Sequence, residues 1–466
     1  MKNLLNILGI IFLVSLKLSA QNFYDVRSLS LGKTAVSNSY ELDAFNTNPA
    51  NIIKQRTSNN ASVYFHLLTN LNVVINSEYF SVDYYNKYFT KNSSLNPVVL
   101  TDQDKADIID KAGNEPVNFS GYLRELALVI INPRFGAIGV SLDEKLAGDF
   151  EVSRDALDLG LFGNEINRIY NFIGTDMEGT WVRQLNFTYA NYLNVKRNKL
   201  FKSLAYGVSV KPQFGLYYLT TKRNNLAITT NKNFEVEGSG EIEFLYSGIS
   251  DNNKIEMSIT PAGFGFGFDA GVNSVIRNIS KKGQLNIALS INDIGYINWY
   301  KNTNTYFYNG NYLVTDITDS DQLDSLNKII KGTKSPVPSF NTSLPTNLRI
   351  GLTYKLFQKP IKDSAKNKTL ETASFSLEYI QGFSNKFGST NQPTLGIGSE
   401  VNLGNIFSPR VGFGLGGREK FVVSLGIGID TGPVLIDVGT YNISSIFNPK
   451  GTSKISGGLS IKFKIN

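Results

Sequence analysis

The sequence predicts an all-β chain that closes into an antiparallel transmembrane β-barrel of about 14 strands, with about 16 as the alternative count. Three observations point to this class. The composition is rich in Gly, Tyr and Phe (41, 23 and 30 residues), whereas charged residues make up 18%, below the ~25% of an average soluble domain. Long stretches alternate between apolar residues and polar or glycine residues, as two-faced strands do. After the N-terminal stretch, no apolar run reaches the ~18 residues that a membrane-spanning helix needs.

Residues 1–20 have the pattern of a cleaved signal peptide. Lys2 gives a positive start, Leu4–Leu16 is almost wholly apolar, and Leu18-Ser19-Ala20 offers the small residues that signal peptidase accepts, so cleavage is expected after Ala20. An anchoring helix is the alternative, but it needs roughly 20 apolar residues and Lys17 interrupts the run. Export of a strand-rich chain predicts the outer membrane of a Gram-negative bacterium, with its lipid as a partner.

Composition excludes several classes of chemistry. The chain has no Cys and one His, which removes disulfides, thiolate zinc sites, iron–sulfur ligation, cysteine nucleophiles and multi-histidine metal centres. No cofactor is therefore expected. The net charge of +7 is spread along the chain rather than gathered in one stripe, so no nucleic-acid partner is expected either.

The clearest strand pattern runs through residues 206–218. One face carries Tyr206, Val208, Val210, Pro212, Phe214, Leu216 and Tyr218, and the other carries Gly207, Ser209, Lys211, Gln213 and Gly215. Twelve steps of about 3.3 Å at a tilt near 45° rise roughly 28 Å, close to the ~25 Å apolar band of an outer-membrane barrel. Pro212 lacks a backbone donor, so a bulge or slipped register is expected nearby.

Similar alternation recurs in other segments. The clearer ones are residues 264–272, 285–292, 348–356, 375–379, 395–403, 421–429, 434–438 and 459–466, and the vaguer ones are 61–67, 78–85, 122–130, 135–142, 182–190, 241–248 and 305–313. A soluble β-sandwich would bury the apolar face in a core, whereas a barrel turns it to lipid. The barrel is favoured because Arg349, Glu400 and Lys462 on the polar faces suit a wet or plugged lumen. It is also favoured because alternating stretches such as 206–218 are longer than sandwich strands, which average about 5 to 6 residues.

Short amphipathic helices are expected in the connections. One lies near Asp104–Lys111, with Thr101 or Asp102 as its cap and Gly113 as its stop, and another starts at Ser153. A third is expected at 321–331. The polar segments 92–118, 301–345 and 358–371 have the composition of long loops.

Glycines recur with a period of two in two runs, 263–271, where Asp269 interrupts the period, and 412–417, which ends on two consecutive glycines. A phosphate-binding loop would need a strand, a turn and a following helix, and no helix follows either run. These glycines are therefore expected to leave space on the lumenal face.

Two N-terminal stretches, Arg27–Val36 and Asp43–Asn51, resemble the start of the FadL-type outer-membrane barrels. That superfamily includes fatty-acid and aromatic-hydrocarbon transporters and the PorV-like barrels of type nine secretion. Its members carry a Leu-Gly-Gly stretch and an Asn-Pro-Ala motif in an N-terminal plug. Here Lys33, Thr47 and Asn51 stand in place of the usual Gly, aromatic residue and Gly.

Two later blocks, Asn292–Trp299 and Leu344–Lys355, resemble signatures of an uncharacterised outer-membrane family related to that superfamily. The resemblance implies a plug at residues 21–56 and a barrel at 57–466. It also implies that Asn48, Pro49 and Ala50 hold or gate the plug, because Pro49 fixes φ and Asn48 can bond nearby backbone. The alternative is a plain turn before the first strand.

Three functions remain open. The first is a FadL-like channel for passive uptake of hydrophobic small molecules. The second is a non-transporting, PorV-like barrel that holds an envelope protein, such as a secretion-system or cell-surface partner. The third and most remote is a barrel hydrolase, for which His66 is the only available histidine base; a girdle or lumen position is its alternative role. The sequence thus favours a protein that is not an enzyme.

Overall fold

The computed structural model describes residues 24–54, 63–90, 98–195, 200–249, 260–276, 279–315, 332–358, 371–385, 389–404 and 406–465. The expected signal peptide at 1–20 and the expected helix at 321–331 lie outside these residues, as do the two ends of the expected plug.

The described residues form 20 strands in one antiparallel sheet. They are β1 Val63–Asn76, β2 Val117–Asn132, β3 Gly136–Glu151, β4 Ile169–Asn171, β5 Asp176–Leu193, β6 Phe201–Asn224, β7 Ala227–Thr230, β8 Val236–Ser247, β9 Gly263–Ile276, β10 Gly283–Trp299, β11 Asn304–Val314, β12 Thr333–Pro336, β13 Phe340–Ser343, β14 Asn347–Phe357, β15 Glu371–Gly382, β16 Thr394–Val401, β17 Phe407–Gly416, β18 Phe421–Asp430, β19 Val434–Thr440 and β20 Lys454–Ile465.

Fourteen of these strands close into a barrel. The circuit runs β1-β2-β3-β5-β6-β9-β10-β14-β15-β16-β17-β18-β19-β20, and β20 pairs back onto β1. The predicted closed antiparallel barrel is therefore confirmed, with 14 strands rather than the alternative 16. The strands β4, β7, β8, β11 and β12 form an extension that joins β6 through β8, and β13 pairs with the end of β10.

Helices lie in the connections and in the N-terminal stretch. The α-helices are α1 Val26–Leu29, α2 Val82–Phe89, α3 Asp102–Ala112, α4 Arg154–Phe162 and α5 Ser444–Phe447, and the 3₁₀ helices are η1 Glu41–Ala44 and η2 Pro49–Ile53. Among the described residues, no helix combines the length and hydrophobicity needed to cross a membrane. The connections with α2, α3 and α4 share one end of the barrel, which we name the loop end; short turns such as 133–135 mark the opposite, turn end.

Two of the expected helices are confirmed by their caps. The Thr101 hydroxyl accepts a hydrogen bond from the Asp104 backbone N–H (3.2 Å), and the Asp104 carboxylate accepts one from the Thr101 backbone N–H (3.1 Å). The Thr101 hydroxyl also donates to the Asp104 carboxylate (2.7 Å), and this bond, together with the one from the Thr101 backbone N–H, lowers the pKa of Asp104. Ser153 caps α4 in the same way, through the Ala156 N–H.

Two sequence expectations are wrong in this region. The segment 78–85, expected as a strand, enters α2, because Tyr84 and Tyr88 lie one helical turn apart and pack against Ile108 of α3. The segment 301–345, expected as a long loop, contains β11, β12 and β13, although the vaguer strand expectation at 305–313 is confirmed by β11.

The faces of the barrel strands follow the predicted alternation. On β6, Val208 and Val210 are 49% and 40% exposed on the outer surface, whereas Lys211 is fully buried on the inner one. Tyr218, expected on the outer face, is instead turned inward. Trp181 of β5 pairs with Tyr217 while Val182 pairs with Gly215, so the intervening residue forms a bulge that reverses the faces.

Val210→Arg is expected to destabilise the inserted barrel by roughly 2–4 kcal/mol, because a charge on the lipid face near the midplane loses its hydration. The measurement is the midpoint of urea unfolding in lipid, followed by the gel shift between unheated and boiled samples. Val99→Arg is the matched control, because Val99 is 88% exposed in a loop-end connection. Equal midpoints for both variants would mean that the outer face is assigned wrongly.

Candidate functional site

The first described residues, 24–54, form an N-terminal segment that lies inside the barrel. Every residue from Tyr24 to Ile53 is buried. The backbone carbonyl of Tyr24 accepts a hydrogen bond from Asn72 in the half of β1 nearer the loop end. In the middle and at its end, the segment contacts β5, β6 and β9 through η2. The segment therefore fills the lumen between opposite walls.

The Asn-Pro-Ala turn fastens this segment to the wall. The Asn48 side-chain carbonyl accepts from the Ala50 N–H (3.0 Å), and its amide donates to the carbonyls of Val36 (2.9 Å) and Val272 (3.1 Å). Pro49 occupies the first turn of η2, where a missing N–H costs nothing. One side chain thus joins two parts of the segment to strand β9.

Two wall glycines make room for this turn. A side chain at Gly207 of β6 would overlap the backbone of Pro49 and Ala50, and one at Gly271 of β9 would overlap the Asn48 side chain. The expectation that lumenal glycines leave space is confirmed at these positions. The gating role of Asn48, Pro49 and Ala50 stays a prediction.

Ion pairs also tie the segment to the wall at separate points. Arg27 contacts Glu400 (2.7 Å), Lys33 contacts Glu419 (2.8 Å), and Asp43 contacts Lys462 (2.5 Å). All six side chains are buried, and Glu400 and Lys462 also contact Arg410 and Asp437, so these pairs belong to buried charge networks that the loss of one partner would unbalance.

Glu378 of β15 gathers several donors at one point. Its carboxylate accepts the backbone N–H groups of Ala35 (2.5 Å) and Val36 (2.8 Å) and the guanidinium of Arg349 (2.6 Å). Arg349 also donates to the carbonyl of Lys33 (2.9 Å). A carboxylate that accepts backbone N–H groups in this way stabilises a chain reversal that has no other partners for them.

The two sequence blocks noted above line the segment. Arg349 belongs to the second block, and Asn292 of the first donates to the Thr47 carbonyl (3.1 Å). Glu378 and Trp299 were not singled out as functional residues. The signal for Glu378 was present, since it is a carboxylate on the polar face of an alternating stretch whose other face carries Phe375 and Leu377.

A cluster of apolar side chains lies inside the barrel toward the loop end, and we name it the apolar chamber. Its members are Val182, Tyr218, Leu245, Ala262, Ile297, Trp299 and Leu344. The Tyr218 and Trp299 rings lie 5.3 Å apart, and the Trp299 indole donates to Thr342 (2.8 Å). A cavity of about 30 Å³ adjoins this cluster.

The floor of the chamber is polar. Lys145 and Asp293 line the cavity, and Lys211 contacts Asp269 (2.5 Å) and Asp293 (2.8 Å). Asp293 lies at a register shift of β10 with a φ of 57°, a conformation that Asp tolerates better than most residues. The bulge turns this carboxylate toward the lysines.

His66 lies on β1 with its side chain turned inward and buried. Arg124, Lys462 and Asp143 are its main electrostatic neighbours, and Arg124 and Asp143 form an ion pair of 2.8 Å. His66 thus takes a lumenal position, the alternative to a catalytic base. Within the described ranges, no cluster of three or more His, Cys, Asp or Glu could hold a metal ion.

Comparison with known proteins supports the fold. A family model described as a family of unknown function (DUF5723) matches residues 49–434, and no curated protein matches. A deltaS2S3 mutant of TodX, described as a monoaromatic hydrocarbon channel, is 11% identical over 96% of this chain and 98% of that chain, with a TM-score of 0.50. A Pseudomonas aeruginosa FadL homologue is 12% identical over 96% and 100%, with a TM-score of 0.44. The resemblance to FadL-type outer-membrane barrels is confirmed as a likeness of fold.

Gly207→Val is expected to push the N-terminal segment away from β6, because the added side chain overlaps Pro49 and Ala50. We expect higher single-channel conductance in planar bilayers, with the gel shift of the closed barrel retained. Gly457→Val on β20 is the control, since a side chain there meets nothing within 4 Å. An assembled Gly207 variant that conducts no more than this control would contradict the role of the turn in holding the segment.

Proposed function

The chain belongs to the family of unknown function DUF5723, and from the apolar chamber inside its outer-membrane barrel we propose that it is a channel for passive uptake of small hydrophobic molecules. The chamber is the observation that carries this proposal. A solved barrel of the same fold is described as a monoaromatic hydrocarbon channel.

The chamber suits an aromatic or aliphatic molecule of modest size. Its walls offer the Trp299, Tyr218 and Phe340 rings, and apolar burial contributes about 25 cal/mol per Å². The cavity of about 30 Å³ is small, whereas an engineered cavity that binds benzene has about 150 Å³. Entry of a ring therefore requires the chamber to open.

Strand β13 is the part of the chamber wall that moves at the lowest cost in lost pairing. It pairs with β10 through residues Phe340–Ser343, and the chamber residue Leu344 follows directly. Four paired residues hold this strand, compared with ten pairs between β10 and β14. A shift of β13 would widen the cavity without breaking the barrel circuit.

Below the chamber, the N-terminal segment blocks the lumen, so onward passage requires the segment to move. We propose cleavage after Ala20, which leaves the segment free at one end and tethered to β1 at the other. In this view Asn48, Pro49 and Ala50 form the gating site, because the bond from Asn48 to the Val272 carbonyl holds this turn on β9.

A PorV-like barrel that holds an envelope protein is the second candidate, and one observation favours it. Helix α2 packs Tyr84 and Tyr88 inward but leaves Val82, Tyr85 and Phe89 at 42%, 47% and 53% exposure. These three residues share one helical face, and the Tyr85 and Phe89 rings stack at 6.1 Å. An exposed aromatic face in a loop-end connection is typical of a protein contact.

The chamber predicts ligand binding that Trp299 reports. In a Trp181→Phe background, which leaves Trp299 as the single indole, toluene should change the fluorescence saturably. Leu344→Ala should tighten toluene binding about tenfold, because removing the side chain enlarges the cavity beside Trp299. Leu313→Ala on β11, where the side chain is 55% exposed, is the control. Linear, non-saturating quenching equal in both variants would contradict the uptake proposal.

The second candidate predicts a partner adduct at α2. A photo-crosslinking amino acid at Phe89 should give a discrete adduct with one envelope protein in intact cells, because this face is exposed beside Tyr85. The same amino acid at Phe234, which is 69% exposed beyond the β-extension, is the control. Adducts at neither position, or equally at both, would remove support for a specific partner.

A further inference from the structure

A second cavity, of about 400 Å³, lies at the loop end of the barrel, and we name it the polar vestibule. Its described lining is Asn76, Ser77, Glu78, Glu115, Pro116, Asn118, Asp149, Glu151, Asn385, Thr390, Gln392, Arg418 and Lys420. It shares no lining residue with the cavity of the apolar chamber. Its volume falls within the ~300–1,000 Å³ range of small-molecule sites.

Some of its carboxylates are already neutralised. Asp149 contacts the Arg418 guanidinium (2.5 Å) and accepts the Asn118 amide (2.9 Å). Glu78 contacts Lys454 (3.3 Å) and Lys420 (3.6 Å). Both basic side chains of the described lining, Arg418 and Lys420, are therefore already in ion pairs.

Other carboxylates have no such partner. Glu115 and Glu151 both line the vestibule, and Asp176 of β5 pairs in register with Glu151 of β3. The negative charges of Asp176 and Glu115 both act on the Glu151 carboxylate and repel it. No Lys or Arg among the described residues forms an ion pair with any of them. Among the described lining residues, the side with Glu115 and Glu151 therefore carries negative charge that no ion pair neutralises.

Asn76 provides an independent observation that points to a ligand. This lining residue is 5% exposed, and its amide group donates to the Arg418 carbonyl (3.3 Å). Its side-chain carbonyl oxygen is buried and accepts no hydrogen bond within the described structure. An unmet buried acceptor costs about 1–3 kcal/mol. The vestibule thus has an excess of acceptors as well as of negative charge.

The vestibule offers carboxylates and an amide carbonyl, and these acceptors determine the class of ligand that it can bind. The carboxylates are not grouped closely enough to hold a metal ion, since no described cluster meets that condition. An ammonium group suits these separated acceptors, because its three N–H donors can reach carboxylates and an amide carbonyl at once.

We propose that the polar vestibule binds a small hydrophilic organic cation that carries a primary ammonium group. The ammonium lies between Glu115 and Glu151, and a further donor satisfies Asn76. This site is separate from the apolar chamber, so its ligand differs in class from the hydrophobic molecule proposed for uptake. A free polyamine and a lysine-rich peptide share this chemistry.

The test uses the full mature protein purified in detergent and calorimetric titration with spermidine, trilysine and, as a neutral probe, glucose. Saturable binding of spermidine, of trilysine or of both is expected, and the pattern identifies the source. A double variant, Glu115→Gln with Glu151→Gln, should weaken binding at least tenfold. Its control is Glu241→Gln with Glu243→Gln, which removes two carboxylates of β8 that contact Arg223.

A second variant protects the test against misfolding. Gln392 is exposed and lines the vestibule, so Gln392→Glu adds a carboxylate without disturbing buried contacts and should tighten binding several-fold. The proposal is overturned if neither amine binds saturably, or if the control pair weakens binding as much as the vestibule pair. It is also overturned if Ca²⁺ binds with the same dependence on Glu115 and Glu151 while the amines do not.

Discussion

Every charge that this barrel encloses needs a partner of opposite sign, and the whole interior is arranged around that constraint. The lumen is too full for bulk water to solvate its lysines, arginines and carboxylates, so each must be neutralised by a neighbour. The N-terminal segment supplies part of the neutralisation through Arg27, Lys33 and Asp43. Barrel and segment therefore depend on one another: neither presents a balanced surface alone.

The interior must also leave space for the N-terminal segment to approach the barrel wall. A chain that crosses the lumen must bond its backbone to the wall, and this requires close approach. Gly207 and Gly271 allow the Asn-Pro-Ala turn to touch β6 and β9, while the Glu378 side chain accepts the backbone N–H groups of Ala35 and Val36. Small residues and charged ones thus share the inner surface for a physical reason, whereas large apolar side chains predominate among the exposed residues of the strands.

The barrel and the two faces of its strands could be predicted from the sequence, because alternation of apolar and polar residues with a period of two is typical of such strands. The caps at Thr101 and Ser153 were equally readable, since capping is a local interaction. Two kinds of feature were not readable. The inward turn of Tyr218 depends on a bulge in the pairing of β6 with β5. The apolar residues of α2 would also suit a strand, and the packing of Tyr84 against α3 decides for the helix. The backbone partners of Glu378, at Ala35 and Val36, lie 343 and 342 residues away in sequence, so only the closed fold identifies them.

The unequal strand lengths give the barrel a sloping rim. Strand β6 has 24 residues, whereas β19 has 7, so at about 3.3 Å per residue one wall is several times taller than the wall across the lumen. The tall side is the one that carries the apolar chamber and continues into the β-extension. A molecule that approaches the mouth from lipid on that side contacts protein surface before it reaches open solvent. The slope therefore makes approach to the mouth directional: the tall wall guides a molecule along protein surface, whereas the short wall leaves it in solvent.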